Sequence, residues 1–275
     1  DLAAIAVKET LRRADGYDVH IEDLFMGNAT PEAEQGLNLA RNVVALAGLP
    51  HTVPGVTVTR YCSSGLQTIA YGAERIMVGS AEAIIAGGVE SMSMLPMGGH
   101  VFRLNPKLVE TAPEYYMGMG HTAEEVARRY GITREEQDAF ALESHRRAAA
   151  AIKAGKFDEE IVQVEVTKRF VDENNKLVEK TFTFSMDEGV REDTTMEALA
   201  KLRPAFAVNG TVTAGNASQM SAGAAAVLVM DRERAEAEGF KPIAKFRSFA
   251  VAGVEPEIMG IGPVKAIPKA VELAG

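Results

Sequence analysis

Cys62 is the only cysteine among 275 residues, and it stands in the run "RYCSSGLQ", residues 60–67. The nucleophile of cysteine chemistry is the thiolate rather than the thiol. The residues before it, "VTVTR", are β-branched and extended in character, whereas those after it repeat apolar types at helical spacing. A thiol at such a strand-to-helix junction meets unpaired N–H groups and the positive end of the helix dipole, which favour its ionised form. Ser63, Ser64 and Gly65 are small, so a flat acyl group can approach the backbone. The amides there are suited to a developing oxyanion. The same residues also suit a small buried thiol, because unpaired cysteine is among the most buried residue types. From these residues alone both readings stand.

The elements that must position Cys62 follow from periodicity. A helix is predicted over residues 2–13, with Leu2, Ile5, Ala6 and Leu11 as its apolar stripe. "IEDLFMGNA" predicts a strand ending at Gly27. "GLNLARNVVALAGL" predicts a helix with Leu37, Ala40, Val43, Val44 and Ala47 on one side. "GVTVTRY" predicts a strand, and "SSGLQTIAYGAERIMVG" a helix in which Leu66, Ile69, Ala70, Ala73, Ile76 and Met77 recur at helical spacing and which ends at Gly79. "EAIIAGGVESM" is then a short apolar strand. This alternation predicts parallel βαβ units and places Cys62 at the carboxyl end of a sheet, the edge ligands favour in open α/β folds.

The pattern changes after Met94. Residues 95–120 are rich in Gly, Pro and Met and lack periodicity. "TAEEVARRYG" and "TREEQDAFALESHRRAAAAIKAG" predict two helices, the second opened by a capping box of Thr133 and Glu136. "EEIVQVEVTKRFVDENNKLVEKTFTF" predicts two strands joined at Asn174-Asn175. This middle third has the character of an α+β insertion. The α/β pattern resumes in "TVTAGNASQMSAGAAAVLVMD", where Ala225 to Met230 predicts a buried strand, and "KPIAKFRSFAVAGV" predicts one more. "VKAIPKAVELAG" predicts a last helix with Gly275 at its end.

Composition narrows the function classes. Apolar residues make up 47% and charged residues 24%, as in soluble globular chains. A net charge of −9 argues against broad nucleic-acid binding, which needs a basic face, and leaves room for a small anionic ligand held by a few local cations. A single cysteine excludes an internal disulfide framework and suits a reducing compartment. No run approaches the roughly 20 apolar residues of a membrane span, and none reads as a signal peptide, so a cytoplasmic location is expected. His20, His51, His100, His121 and His145 lack metal-ligand spacing, and no metal is expected. The charge-rich run "REEQDAFALESHRRAAAAIKAGK" is expected to be a solvated face.

Four segments, taken together, resemble the thiolase family. "YCSSGLQTIAYGAERIMVGSAEAIIAGGVESMSMLPM" resembles its nucleophile region, and "MGHTAEEVARRYGITREEQDAFALESHRRAAAAIKAGKFDEEIV" its loop domain. "TMEALAKLRPAF" with "GTVTAGNASQMSAGAAAVLVMD" resembles its return to the first core domain. "GVEPEIMGIGPVKAIPKAV" resembles the opening of the second. The likeness runs through essentially the whole chain in family order. It implies an α/β fold: a layered αβα core domain with a five-stranded sheet, an inserted α+β loop domain, and a second core domain mostly missing from this chain. The implied bounds are residues 1–92 for the first core domain, 93–218 for the loop domain, 219–239 for the return, and 240–275 for the start of the second core.

The resemblance also implies a reaction. Cys62 attacks the keto carbon of a 3-ketoacyl-CoA, acetyl-CoA leaves, and a second CoA takes the shortened acyl group from sulfur. That is an acetyl-CoA C-acyltransferase of fatty-acid β-oxidation. The "CSSGLQ" form and the "EKTFTFSMDEGVRED" segment are most similar to the degradative members. The alternatives are an acetoacetyl-CoA-forming acetyltransferase, a related ketosynthase, and a non-catalytic acyl-CoA or lipid binder. CoA and acyl-CoA would be substrates, with no cofactor, and the assembly a homodimer or homotetramer. Arg191 in "EGVRED" aligns with a basic residue at the nucleotide part of CoA, and Ser218 in "AGNAS" with a serine at the pantetheine arm. Phe206 and Ala214 align with pocket walls, and Met119 with a tunnel residue. A surface arginine, a turn serine and plain core are the competing readings of these positions. The family's "NEAF" asparagine, "GHP" histidine and "CxGGG" cysteine do not occur in these residues, nor does its opening "RTP"-type strand. Both ends look cut, so the chain is expected to be partial and to lack turnover by itself.

Overall fold

A computed structural model describes residues 1–14 and 20–275. In chain order the elements are α1 (Leu2–Arg13), β1 (Asp23–Gly27), α2 (Leu39–Ala47), β2 (Gly55–Val58), α3 (Ser64–Met77) and β3 (Ala83–Glu90). They continue with α4 (Pro106–Thr111), α5 (Met119–Tyr130), α6 (Arg134–Lys153), β4 (Val164–Val171), β5 (Leu177–Phe184) and α7 (Met196–Ala200). β6 (Gly223–Met230), α8 (Arg232–Ala237) and α9 (Gly262–Ala274) complete the set. The chain forms two compact units. One comprises Asp1–Tyr116, Met220–Glu255 and Ile261–Gly275; the other comprises Met117–Gln219 and Pro256–Gly260.

The first unit is built on a four-stranded sheet in the order β2-β1-β3-β6. β1 runs parallel to β2, with Leu24 opposite Gly55, and parallel to β3, with Leu24 opposite Ile85. Strands alternate their side chains, so the two faces of β1 fill differently. Leu24 and Met26 join Ile85 in one apolar cluster with Ala3, Ala4 and Val7 of α1 and Ala40, Val43 and Val44 of α2. Phe25 and Ile84 pack on the opposite face with Ile76 of α3. Helices therefore cover both faces, giving the three αβα layers that the resemblance implies.

Several local expectations are corrected. Among the described residues the sheet has four strands rather than five, and β6 pairs antiparallel to β3, with Ile85 opposite Leu228. β6 is not buried throughout: Ala224, Ala226 and Leu228 pack toward α1, while Ala225 and Val227 on its other face are exposed. Residues 241–254 form no strand among the described residues. α1 keeps its expected bounds, but its buried face is Ala3, Ala4 and Val7 rather than Leu2 and Ile5. Leu37 lies outside α2, in the left-handed region at φ 57, and is 95% exposed. On α3 the face turned inward carries Ser64, Gln67, Thr68, Ala70, Gly72 and Ala73, while Leu66 and Met77 are exposed. Pro106–Thr111 is a short helix, capped by Asn105, inside the stretch that lacked periodicity.

The second unit holds α5, α6 and α7 with the hairpin β4–β5. The box at the start of α6 forms in full: the Glu136 N–H donates to Thr133 Oγ1 at 3.2 Å, and the Thr133 N–H donates to Glu136 Oε2 at 2.8 Å. The hairpin turns at Asn175, at φ 57, a conformation asparagine tolerates better than most residues. One helix face departs from expectation. Asp138 of α6 is not solvated; it forms an ion pair with the half-buried Arg134 at 2.8 Å, its own side chain 2% exposed.

Candidate active site

Cys62 lies between β2 and α3, and its thiol is exposed. What fixes that place is the way the first turn of α3 meets the ends of β1 and β3. Gly27, the last residue of β1, lies against the backbone of Ser64 and Gly65 so closely that a Cβ there would stand 2.4 Å from the Ser64 carbonyl carbon. Gly88 of β3 meets Gly65 in the same way: a Cβ on it would stand 3.0 Å from the Gly65 Cα. Only residues without side chains permit this approach. One turn on, the buried Thr68 hydroxyl donates to the Gly87 carbonyl at 2.9 Å, tying helix to strand. The start of α3 is thus held against the carboxyl ends of two parallel strands.

The turn that carries the sulfur is tight. Tyr61 adopts φ 47, a left-handed conformation that costs a non-glycine residue about 1–2 kcal/mol. Two amides fold back on it: Ser63 N–H donates to the Arg60 carbonyl at 3.2 Å, and Ser64 N–H to the Tyr61 carbonyl at 3.0 Å. The Ser64 hydroxyl accepts from the Arg60 N–H at 2.7 Å and lies 2.5 Å from the Tyr61 carbonyl, to which it donates. Ser63 caps the helix by position but makes no side-chain cap bond. Its hydroxyl donates instead to the Arg60 carbonyl at 2.9 Å.

Beside the turn lies a polar network that the sequence reading missed. Glu90, at the end of β3, accepts from the Asn28 side chain at 3.2 Å, the Ala29 N–H at 2.7 Å and the Gln35 side chain at 2.7 Å. Gln35 in turn accepts from the Ser91 N–H at 2.6 Å. The loops leaving β1 and β3 are so locked together at the sheet edge that bears Cys62. Single-residue types gave no signal for this, since Glu90 is 62 residues from Asn28 and 55 from Gln35.

The other expected site residues, Met119, Arg191, Phe206, Ala214 and Ser218, all belong to the second unit. Phe206 lays its ring on Gly120, next to Met119; a Cβ on Gly120 would stand 2.2 Å from that ring. His121 meets the same ring edge-on at a centroid distance of 6.1 Å. Arg191 donates its backbone N–H to Nδ1 of His145 at 3.2 Å, and its guanidinium has no hydrogen-bond or ion-pair partner among the described residues. Ala214 and Ser218 are exposed. Their loop is pinned by Asn216, which donates to Asp138 at 2.9 Å and to the Thr211 carbonyl at 3.0 Å. Glu124 of α5 accepts from the Thr211 and Val212 amides at 2.9 Å each. The pair Arg134–Asp138 therefore supports the loop that bears two expected contact residues. Sequence spacing on α6 could not say which of its many charges faces inward.

Among the described residues no group of three or more His, Cys, Asp and Glu side chains is arranged to hold a metal ion, and no helix is long and apolar enough to cross a membrane.

Comparison with known proteins agrees with this architecture. Residues 1–233 match the model of the thiolase N-terminal domain. A 3-ketoacyl-CoA thiolase of Bacillus subtilis is 66% identical over 275 residues, covering 100% of this chain and 70% of that protein. An acetyl-CoA acetyltransferase of Escherichia coli is 44% identical over 100% of this chain and 71% of its own length. The crystal structure of the Bacillus anthracis acetyl-CoA acetyltransferase superposes with a TM-score of 0.84 at 38% identity, over 99% of this chain and 70% of that one. The chain belongs to the thiolase family.

Proposed function

We propose that the protein is an acyltransferase that cleaves a 3-ketoacyl-CoA with CoA, releasing acetyl-CoA and a shortened acyl-CoA. The acyl group is carried between the two half-reactions as a thioester on Cys62. The observation that carries this reading is the exposed sulfur on a tight, hydroxyl-braced turn at the start of α3. In the first half-reaction the sulfur adds to the keto carbon, and the bond to the neighbouring methylene carbon breaks. Its electron pair passes to the leaving acetyl-CoA, which takes up a proton. In the second, the CoA thiol adds to the thioester carbonyl and Cys62 is released.

The remaining expected residues fit the ligand by type. The unpaired guanidinium of Arg191 suits the phosphates of CoA, through charge-assisted bonds. The Ser218 hydroxyl suits a pantetheine amide. Met119, Phe206 and Ala214 supply apolar wall for the arm or the acyl chain. In this reading residues 1–92 and 219–239 are the first thiolase core domain, 93–218 the loop domain and 240–275 the start of a second core. A homodimer or homotetramer and a cytoplasmic location belong to the same proposal. Family resemblance supports the assembly; an exposed lone cysteine and likeness to a bacterial thiolase support the location.

The degradative reading is favoured because the 66% identical relative is named a 3-ketoacyl-CoA thiolase, whereas the relative named an acetyl-CoA acetyltransferase is 44% identical. Steady-state thiolysis by the full-length protein tests both points. Wild-type protein should turn over 3-ketoacyl-CoA, with a higher kcat/KM for chains longer than acetoacetyl-CoA. Cys62→Ala should lower kcat by on the order of 10⁴-fold or more, as loss of a covalent nucleophile does. Near-normal turnover by Cys62→Ala would remove the basis of the proposal.

A further inference from the structure

We infer that Ser64 is a positioning residue for Cys62: its buried hydroxyl clamps the Arg60–Tyr61–Cys62 turn and so sets where the sulfur stands. This rests on the reading of Cys62 as the nucleophile and goes beyond it. A hydroxyl has one proton to donate and two lone pairs to accept with. Ser64 uses both capacities on the two sides of Tyr61, accepting from the Arg60 N–H at 2.7 Å and donating to the Tyr61 carbonyl at 2.5 Å. A second carbonyl, that of Asn28, lies 3.5 Å away at the end of β1, too far to compete for the proton. The side chain is buried, with the residue 2% exposed, so water does not readily replace it.

The clamp is needed because the turn is strained. Tyr61 is held at φ 47, where a bulky residue is a genuine outlier that persists only if its surroundings over-determine it. Ser64 is the residue able to do this, because its own backbone is fixed by contact with Gly27. The hydroxyl transmits that fixed position to the residue before Cys62. Ser63 does not share the role: it is exposed and bonds the Arg60 carbonyl alone.

The test uses the full-length protein with Ser64→Ala, Ser64→Thr, Ser63→Ala and Cys62→Ala. Three quantities are read: kcat and KM for thiolysis, the rate of Cys62 alkylation by iodoacetamide against pH, and the melting temperature. Ser64→Ala should lower kcat about tenfold to a hundredfold, the scale of a misplacement near 1 Å, with KM changed less than kcat. It should also shift the pH profile of alkylation. Ser64→Thr, which keeps the hydroxyl, should restore most of kcat and the wild-type profile, and Ser63→Ala should leave both unchanged. A merely structural serine would lower the melting temperature and leave the alkylation profile and the kcat of the folded fraction as they were; that result overturns the inference while Cys62→Ala remains inactive. If Cys62→Ala is active, the reading of the nucleophile fails instead. Should Ser64→Ala not fold, Ser64→Cys, of similar volume but a weaker donor and acceptor, decides by kcat: a lowered kcat in the folded protein supports the clamp, and a wild-type kcat contradicts it.

Discussion

Gly27 touches the backbone of Ser64: a methyl group on it would stand 2.4 Å from the Ser64 carbonyl carbon and 2.5 Å from the Gly65 nitrogen. The end of a parallel strand is thereby joined to the start of the helix that follows Cys62. Neither side can yield by rotating a side chain, since both contacts are main chain. Gly27→Ala should therefore cost at least the roughly 1–3 kcal/mol typical of overpacking, and it should move the start of α3. Urea denaturation and iodoacetamide labelling read the two effects. A variant with unchanged midpoint and unchanged Cys62 labelling would show that the contact does not constrain the helix.

The second unit depends on a buried ion pair that also serves the loop of residues 211–216. Asp138 holds Arg134 at 2.8 Å and Asn216 at 2.9 Å. Arg134 in turn donates to the Leu199 carbonyl at 2.6 Å. Asp138→Ala takes one acceptor from a guanidinium and one from an amide, and should destabilise by about 3–5 kcal/mol, the usual cost of breaking a buried pair from one side. Asn216→Ala removes neutral bonds and should cost less, about 1–3 kcal/mol. Equal, small effects of both in chemical denaturation would contradict the assignment.

Three helices repeat one surface device. In "ETLRR", "EVARR" and "ESHRR", a glutamate binds two consecutive arginines one turn on: Glu9 with Arg12 and Arg13, Glu125 with Arg128 and Arg129, and Glu143 with Arg146 and Arg147. Hydrogen bonds from the two guanidinium groups hold each carboxyl down to about 2, from an ordinary value of 4.5. A carboxyl held low in the folded state contributes stability that is fully present above 4.5 and is lost as pH falls through about 2. The three glutamates should titrate near 2 in carboxyl ¹³C NMR of the folded protein. Midpoints near 4.5 would show that solvent separates the pairs.

Arg191 offers a guanidinium with no partner among the described residues. If it binds CoA, Arg191→Ala should raise KM for CoA and acyl-CoA by about 10- to 100-fold, the value of one or two charge-assisted bonds, with kcat nearly unchanged. An unchanged KM would remove Arg191 from the proposed site.

The helix–strand alternation, the α6 capping box and the strand-to-helix junction at Cys62 are legible in the sequence, each written in local periodicity or in residues three apart; the αβα layering followed only from the family resemblance. What was not legible depends on contacts between distant residues. Leu37 and Leu66 have the spacing of a buried face, yet both are exposed: Leu37 lies before α2 begins, and α3 turns Thr68, Ala70, Gly72 and Ala73 inward instead. The left-handed Tyr61 carries no signal of its own, since tyrosine has no preference for that region. Its conformation follows from Ser64, whose position follows from Gly27. Asp138 looked like one more surface charge until Asn216, 78 residues later, supplied its partner.

The central claim is that the exposed sulfur of Cys62 carries the acyl group. It is tested most directly by mixing the full-length protein with a 3-ketoacyl-CoA, quenching in acid, and measuring the mass of the peptide that contains residue 62. The account predicts one shortened acyl group on Cys62, gone after brief exposure to CoA. An acyl group on another residue, or turnover with Cys62 unmodified throughout, would contradict it.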